Sequence, residues 1–178
     1  IDYIDHAHLI QNKYIESQLR IGKVDAYGIE TQISKTKGRT TGSISYSYSR
    51  VLRTFPEINS GKKYSAPYDL PHDVRFSLLH KIKPHLSFSM RWIYTTGRAA
   101  QLPVGYHTYG TYPAYLYEER NSQRFPDFHR LDLALNWDKS KKLSSGKTWQ
   151  RTISVGVYNA YYRNNPIIIE FPDDINFT

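Results

Sequence analysis

Residues 42–49 read Gly42-Ser43-Ile44-Ser45-Tyr46-Ser47-Tyr48-Ser49, small polar residues alternating with large apolar or aromatic ones. Successive side chains of a strand point to opposite faces, so Ile44, Tyr46 and Tyr48 share one face and the serines share the other. A sheet with one greasy and one wet face has two natural settings. It is half of a soluble sandwich, or the wall of a membrane barrel with lipid outside and water within.

The same period recurs outward from this stretch. Ala26 to Lys35 sets Tyr27, Ile29, Thr31 and Ile33 against Glu30, Gln32 and Ser34, and Lys37-Gly38-Arg39 turns it into Thr41 to Val51. Val74 to Lys83, His85 to Thr96, Arg130 to Asp138 and Thr148 to Tyr158 repeat the alternation, and Tyr3 to Ile10 is a weaker candidate. These matches predict an all-β, antiparallel chain of about seven or eight strands.

The links alternate in length. Those near residue 38, at Pro84 and across 139–147 read as short or polar hairpins, with the Lys139 to Lys142 run in a turn. Those at 52–73 and 97–128 are long, which is uncommon in compact soluble domains. Short turns at one end and long loops at the other suit an outer-membrane barrel. Trp137 and Trp149 near the short turns, and Tyr48, Trp92 and Tyr94 near the long loops, are expected to form two aromatic girdles around an apolar middle. On this reading Glu30, Gln32, Arg75, Arg91, Asp132 and Asn136 face the lumen.

Composition leaves the barrel open. The 178 residues suit a single domain, and no stretch approaches the roughly 18 apolar residues of a spanning helix. Mean hydropathy of −0.61 does not argue against strands that cross a membrane. Ile1-Asp2-Tyr3-Ile4-Asp5 lacks the charged region and apolar core of a signal peptide. The absence of cysteine excludes disulfides and thiolate chemistry. The formal charge of +8 comes from scattered Lys and Arg, so solvated faces are expected rather than a nucleic-acid partner.

Several of these segments resemble the late barrel of TonB-dependent outer-membrane receptors, most closely those of Bacteroidetes. They include Ala26-Tyr27-Gly28-Ile29-Glu30, Ser45-Tyr46-Ser47-Tyr48-Ser49-Arg50, Tyr68-Asp69-Leu70-Pro71-His72-Asp73 and Trp92-Ile93-Tyr94-Thr95-Thr96-Gly97. Arg124-Phe125-Pro126-Asp127-Phe128-His129-Arg130-Leu131-Asp132-Leu133 and Val157-Tyr158-Asn159-Ala160-Tyr161 continue in the family's order. The resemblance implies a barrel of about 22 strands around an N-terminal plug. It also implies ligand import driven by the inner-membrane TonB complex, sometimes with a surface lipoprotein partner. Residues 1–178 are then expected to be the C-terminal part of such a barrel, a fragment without plug or last strand. It would break off at Asn176-Phe177-Thr178 in a long extracellular loop. The expected surroundings are outer-membrane lipid and the remainder of the same barrel.

No catalytic constellation stands out, and no cofactor is implied. His6 and His8 form at most a weak metal pair. Asp69 with Asp73, and Glu118 with Glu119, are expected to order loops. Tyr106, Tyr109, Tyr112, Tyr115 and Tyr117 are the candidate ligand contacts, because rigid amphipathic rings lose little entropy on binding; the alternative is that they pack against one another and hold the long loop in shape. Gly105, Gly110 and Pro113 predict irregular backbone there. A passive barrel or adhesin, and a soluble ligand-binding β-sandwich, are the competing possibilities.

Overall fold

The computed structural model describes residues 2–3, 19–109, 112–142 and 146–165. Its strands are β1 Asp2–Tyr3, β2 Leu19–Arg20, β3 Lys23–Lys35, β4 Thr40–Thr54, β5 Tyr64–Ser65, β6 His72–Lys83, β7 Leu86–Thr95, β8 Ala99–Ala100, β9 Pro103–Tyr109, β10 Tyr112–Tyr117, β11 Gln123–Arg124, β12 Phe128–Lys142 and β13 Thr148–Val157. Six long strands lie in the order β13-β12-β7-β6-β4-β3, each antiparallel to its neighbour, with the short β5 added to β4. The chain is all-β, and none of the described sheets closes into a barrel. Within the described residues, β3 and β13 are open edges of the main sheet.

The alternation carries across the ladders, with Leu79 and Ile93 as apolar residues on the polar face and His80 on the apolar one. Ile33, Ile44, Phe76, Trp92 and Leu131 form one cross-strand row. Leu78, Met90, Leu133 and Val157 form the next toward the turns. On the opposite face run Gln32, Ser45, Arg75, Ile93 and Arg130, then Ser34, Ser43, Ser77, Arg91 and Asp132. Serine hydroxyls bond across that face, as between Ser43 and Ser77 at 2.9 Å.

The ladders are also sheared. From the row through Gly42 and Leu133, the β3–β4 pairing runs toward the long loops as far as Thr54. The β12–β13 pairing runs the other way, to Lys142. Such stagger belongs to tilted strands.

The three short connections lie at one end. Gly38, with φ of +100°, makes the first possible, since that backbone suits a residue without Cβ. Pro84 and His85 form the second. The third is shorter than its sequence predicts, because β12 runs on to Lys142 and β13 begins at Thr148. The Lys139 to Lys142 run is therefore strand rather than turn. Strand partners carry it outward, with Lys139 opposite Arg151 and Lys141 opposite Trp149. Trp137 and Trp149 share the apolar face but sit at different levels, since Trp137 pairs with Ile153.

Burial is distributed the opposite way to an ordinary sheet protein. Every buried described residue lies in 55–71 or 97–99, at the long-loop end. Among the described residues no second layer packs on the apolar face: on the edge strands Ile33 is 72% and Val155 71% exposed. His6, His8 and Asn176-Phe177-Thr178 lie outside the described residues, as does all but Tyr3 of the weak first strand candidate.

Candidate functional site

The two long connections, 55–71 and 96–127, fold onto each other at the end of the sheet. The first turns back over β4. Ser49 N–H donates to Pro71 O at 3.1 Å, Ala66 N–H to Val51 O at 2.9 Å, and the Ser49 hydroxyl to Leu70 O at 3.0 Å. Phe55, Ile58 and Tyr64 pack beneath it as a small core, with the Phe55 and Tyr64 rings 6.3 Å apart. A short 3-10 turn at Asn59–Gly61 aims Asn59 at the second loop. Its side chain bonds both backbone groups of Arg120, donating to the carbonyl at 3.0 Å and accepting from the N–H at 2.7 Å. Asn121 donates to Ser65 O at 2.8 Å, and Lys62 pairs with Glu119 at 2.6 Å.

Asp69 joins the loops to the strand. Its side chain is fully buried and accepts from the Val51 N–H at 2.6 Å and Arg50 Nε at 3.3 Å. Arg124, from the far end of the second loop, bonds the same carboxylate. It also donates to the carbonyls of Asp69 at 2.7 Å and Gly97 at 2.9 Å. Burial would push the Asp69 carboxyl up, but the Val51 N–H and the Arg124, Ser65 and Arg50 side chains outweigh it and hold the group below the usual carboxylate range.

The neck of the second loop is closed by β8 pairing with β11. Gly97 fits there because it has no side chain: a Cβ would lie 1.7 Å from Phe125 O. Asp127 seals the same neck, accepting from the Tyr94 hydroxyl at 2.6 Å and the Gly97 N–H at 2.9 Å. The Tyr94 hydrogen bond is the largest influence lowering the Asp127 carboxyl. Residues 158–165 brace the next strand end. Asn165 bonds His129 N–H and C=O at 3.1 and 3.0 Å, and Ala160 N–H donates to Leu131 O at 2.7 Å.

Above this base stands the tyrosine segment, and its backbone corrects the expectation. Residues 103–109 and 112–117 are an antiparallel pair of strands, β9 and β10, with one register shift, rather than irregular chain, and Gly110 lies outside the described residues. Two-stranded pairing tolerates Pro113 because each strand keeps one open edge, and Gly105 sits in the ladder opposite Leu116. Tyr106 and Tyr115 are register partners with rings edge to face, centroids 6.5 Å apart. Tyr117 lies beyond a register shift, opposite Pro103. Tyr109 and Tyr112 pair at the tip, and their side chains lie outside the described residues. The structure therefore brings together Tyr106 and Tyr115, with Tyr117 nearby on the same strand, rather than all five as one platform. Tyr106 and Tyr117 are each half exposed.

Glu30, Gln32, Arg75, Arg91, Asp132 and Asn136 all occupy the polar face in register. Glu30, Gln32 and Arg75 border a shared hollow of about 520 Å³ with Ser45, Ser47 and Asp73. Arg91 is the cross-strand register partner of Asp132, whose carboxylate bonds Arg130, while Asn136 lies further toward the turns and donates to the Ser89 hydroxyl at 3.3 Å. Among the described residues no group of three or more His, Asp or Glu is arranged to hold a metal ion. Sequence reasoning missed the Asp69–Arg124 clamp, though both residues lie in segments that carry the family resemblance. No family model, curated protein or solved structure matches this chain.

Proposed function

We propose that this sheet is part of the wall of an outer-membrane transporter of the TonB-dependent type, in a barrel of about 22 strands. The docked loops are its outer ligand-capturing surface. Its neighbours are outer-membrane lipid, further strands of the same barrel on both open edges, and a plug against the polar face. Transport would draw on the inner-membrane TonB complex, and a surface lipoprotein partner is compatible with the loop end.

One observation carries this reading: an apolar face with no second layer among the described residues, framed by aromatic bands, with polar ladders behind it. A soluble sandwich buries that face under a second layer, whereas lipid leaves it as it stands. Near the long loops the band holds Tyr46, His72, Trp92, Tyr94 and His129. Tyr46 hydrogen-bonds His72 at 2.9 Å, and Trp92 stacks on Tyr94 with centroids 6.2 Å apart. Near the turns it holds Trp137 and Trp149. From His129 to Trp137 is about 26 Å of strand. At a barrel tilt of about 40° that is roughly 20 Å of membrane depth, near the height of an outer-membrane apolar band.

The ligand class in this family of transporters spans iron chelates, cobalamin, glycans and peptides. Tyr106→Ala with Tyr115→Ala is expected to weaken binding of whichever class the protein takes by about tenfold, the loss of an aromatic anchor. Equilibrium binding to a ferric chelate, cobalamin, an oligosaccharide and a short peptide, beside heat-modifiable gel mobility for assembly, measures this. Unchanged affinity in an assembled variant would move the capture site off this hairpin.

A further inference from the structure

Charge is divided unevenly between the two ends of the sheet. The segments 52–72 and 96–128 carry six Lys or Arg against five Asp or Glu. Several of these are paired, as Lys62 with Glu119 and Arg124 with Asp69. The turn end is different. Residues 34–41, 80–87 and 137–152 hold ten Lys or Arg and one acid, Asp138. Asp138 is on the polar face, where it accepts from the Thr152 hydroxyl at 2.7 Å.

Register sorts the cations by face. Lys139 and Arg151 are cross-strand partners, as are Lys141 and Trp149, and both pairs continue the outward face of Trp137 and Ile153. Lys35 lies on the same face, opposite Gly42. Descending the outward surface, hydrocarbon side chains give way to Trp137, then Lys139 with Arg151, then Lys141 with Trp149. A hollow of about 660 Å³ opens beside them, bordered by His85, Trp137, Lys139, Gln150 and Arg151, with Asp138 at its polar side.

We propose that this turn-end rim docks the headgroups of anionic phospholipids. The inference rests on the membrane-barrel reading and adds a lipid class and a leaflet to it. Indole rings favour the interface between hydrocarbon and headgroup. Cations spaced among them stand at phosphate level, where their long stems lie along apolar surface and their heads reach the anion. A zwitterionic headgroup offsets that phosphate with its own cation. Nucleic acid fits less well, because the cations are continuous with a greasy surface that a duplex would leave exposed.

The test uses the whole protein in phosphatidylcholine vesicles with and without phosphatidylglycerol. Spin-labelled forms of both lipids report the motionally restricted fraction, and heat-modifiable mobility reports insertion. The wild type should prefer phosphatidylglycerol, and the preference should weaken with added salt because these charges are exposed. Lys139→Gln/Lys141→Gln/Arg151→Gln should insert but lose that preference by roughly fivefold or more. Lys62→Gln, at the other end, should keep it. Insertion without any lipid preference would overturn the proposal. So would retention of short duplex DNA through the same three residues with no preference between the lipids. Failure to insert at all would instead overturn the membrane reading beneath it.

Discussion

Met90→Arg is expected to abolish most assembly in the membrane, while Ser89→Arg leaves it largely intact. The two residues are adjacent on β7 and point to opposite faces. Met90 lies in the row with Leu78 and Leu133, and Leu133 is midway along β12 between His129 and Trp137. In the proposed barrel an arginine at that level would face the middle of the hydrocarbon and cost roughly 2–4 kcal/mol. Ser89 faces the polar side, where its hydroxyl approaches Ala134 O at 3.5 Å and accepts from Asn136 at 3.3 Å. Losing those contacts costs about 1 kcal/mol. The assembled fraction, read from gel mobility with and without heating, should fall far more for Met90→Arg. Equal losses would mean that both faces see similar surroundings.

Arg124→Ala should undock the long loops without disassembling the sheet. It leaves the fully buried Asp69 carboxylate facing Arg50, Ser65 and the Val51 N–H. Removing one partner of a buried ion pair costs about 3–5 kcal/mol, and the retained partners set the loss near 3 kcal/mol. Hydrogen exchange at Ala66 and Asp69, whose amides are bonded within the loop and to Val51, should accelerate by about a hundredfold. The double variant with Asp69→Ala should cost less than the two single losses combined, because the partners share one interaction. Acid provides a second reading. The folded carboxyl of Asp69 is depressed, so its contribution is complete above the unfolded value of about 3.9 and disappears as pH falls through the lower folded value. Docking should therefore persist from neutral pH to about pH 4 and loosen below it.

What the sequence made legible follows its periodicity. The serine–tyrosine alternation of β4 and its echoes in β3, β6, β7, β12 and β13 recover the six long strands, their faces and the ends that carry short and long connections. Charge obscured the end of β12: Lys139 and Lys141 look like a polar turn until their partners Arg151 and Trp149 are known. Glycine and proline obscured the tyrosine hairpin, where a two-stranded ladder tolerates what a central strand would not. The clamp was invisible for another reason. Asp69 and Arg124 are 55 residues apart, and nothing local to either announces the other. The small core of Phe55, Ile58 and Tyr64 likewise has no period to read, since it packs a loop rather than a face.

The most direct test of the membrane wall is solvent accessibility along one strand. These 178 residues contain no cysteine, so once any thiols in the remainder are replaced, single thiols introduced from Ser87 to Trp92 on β7 can each carry a nitroxide. In the whole protein in outer-membrane vesicles, collisions with oxygen report lipid and collisions with a charged nickel chelate report water. Positions 88, 90 and 92 should show high oxygen and low nickel accessibility, with the reverse at 87, 89 and 91. Nickel access at position 90 equal to that at position 89 would place water on both faces of the sheet and contradict the barrel.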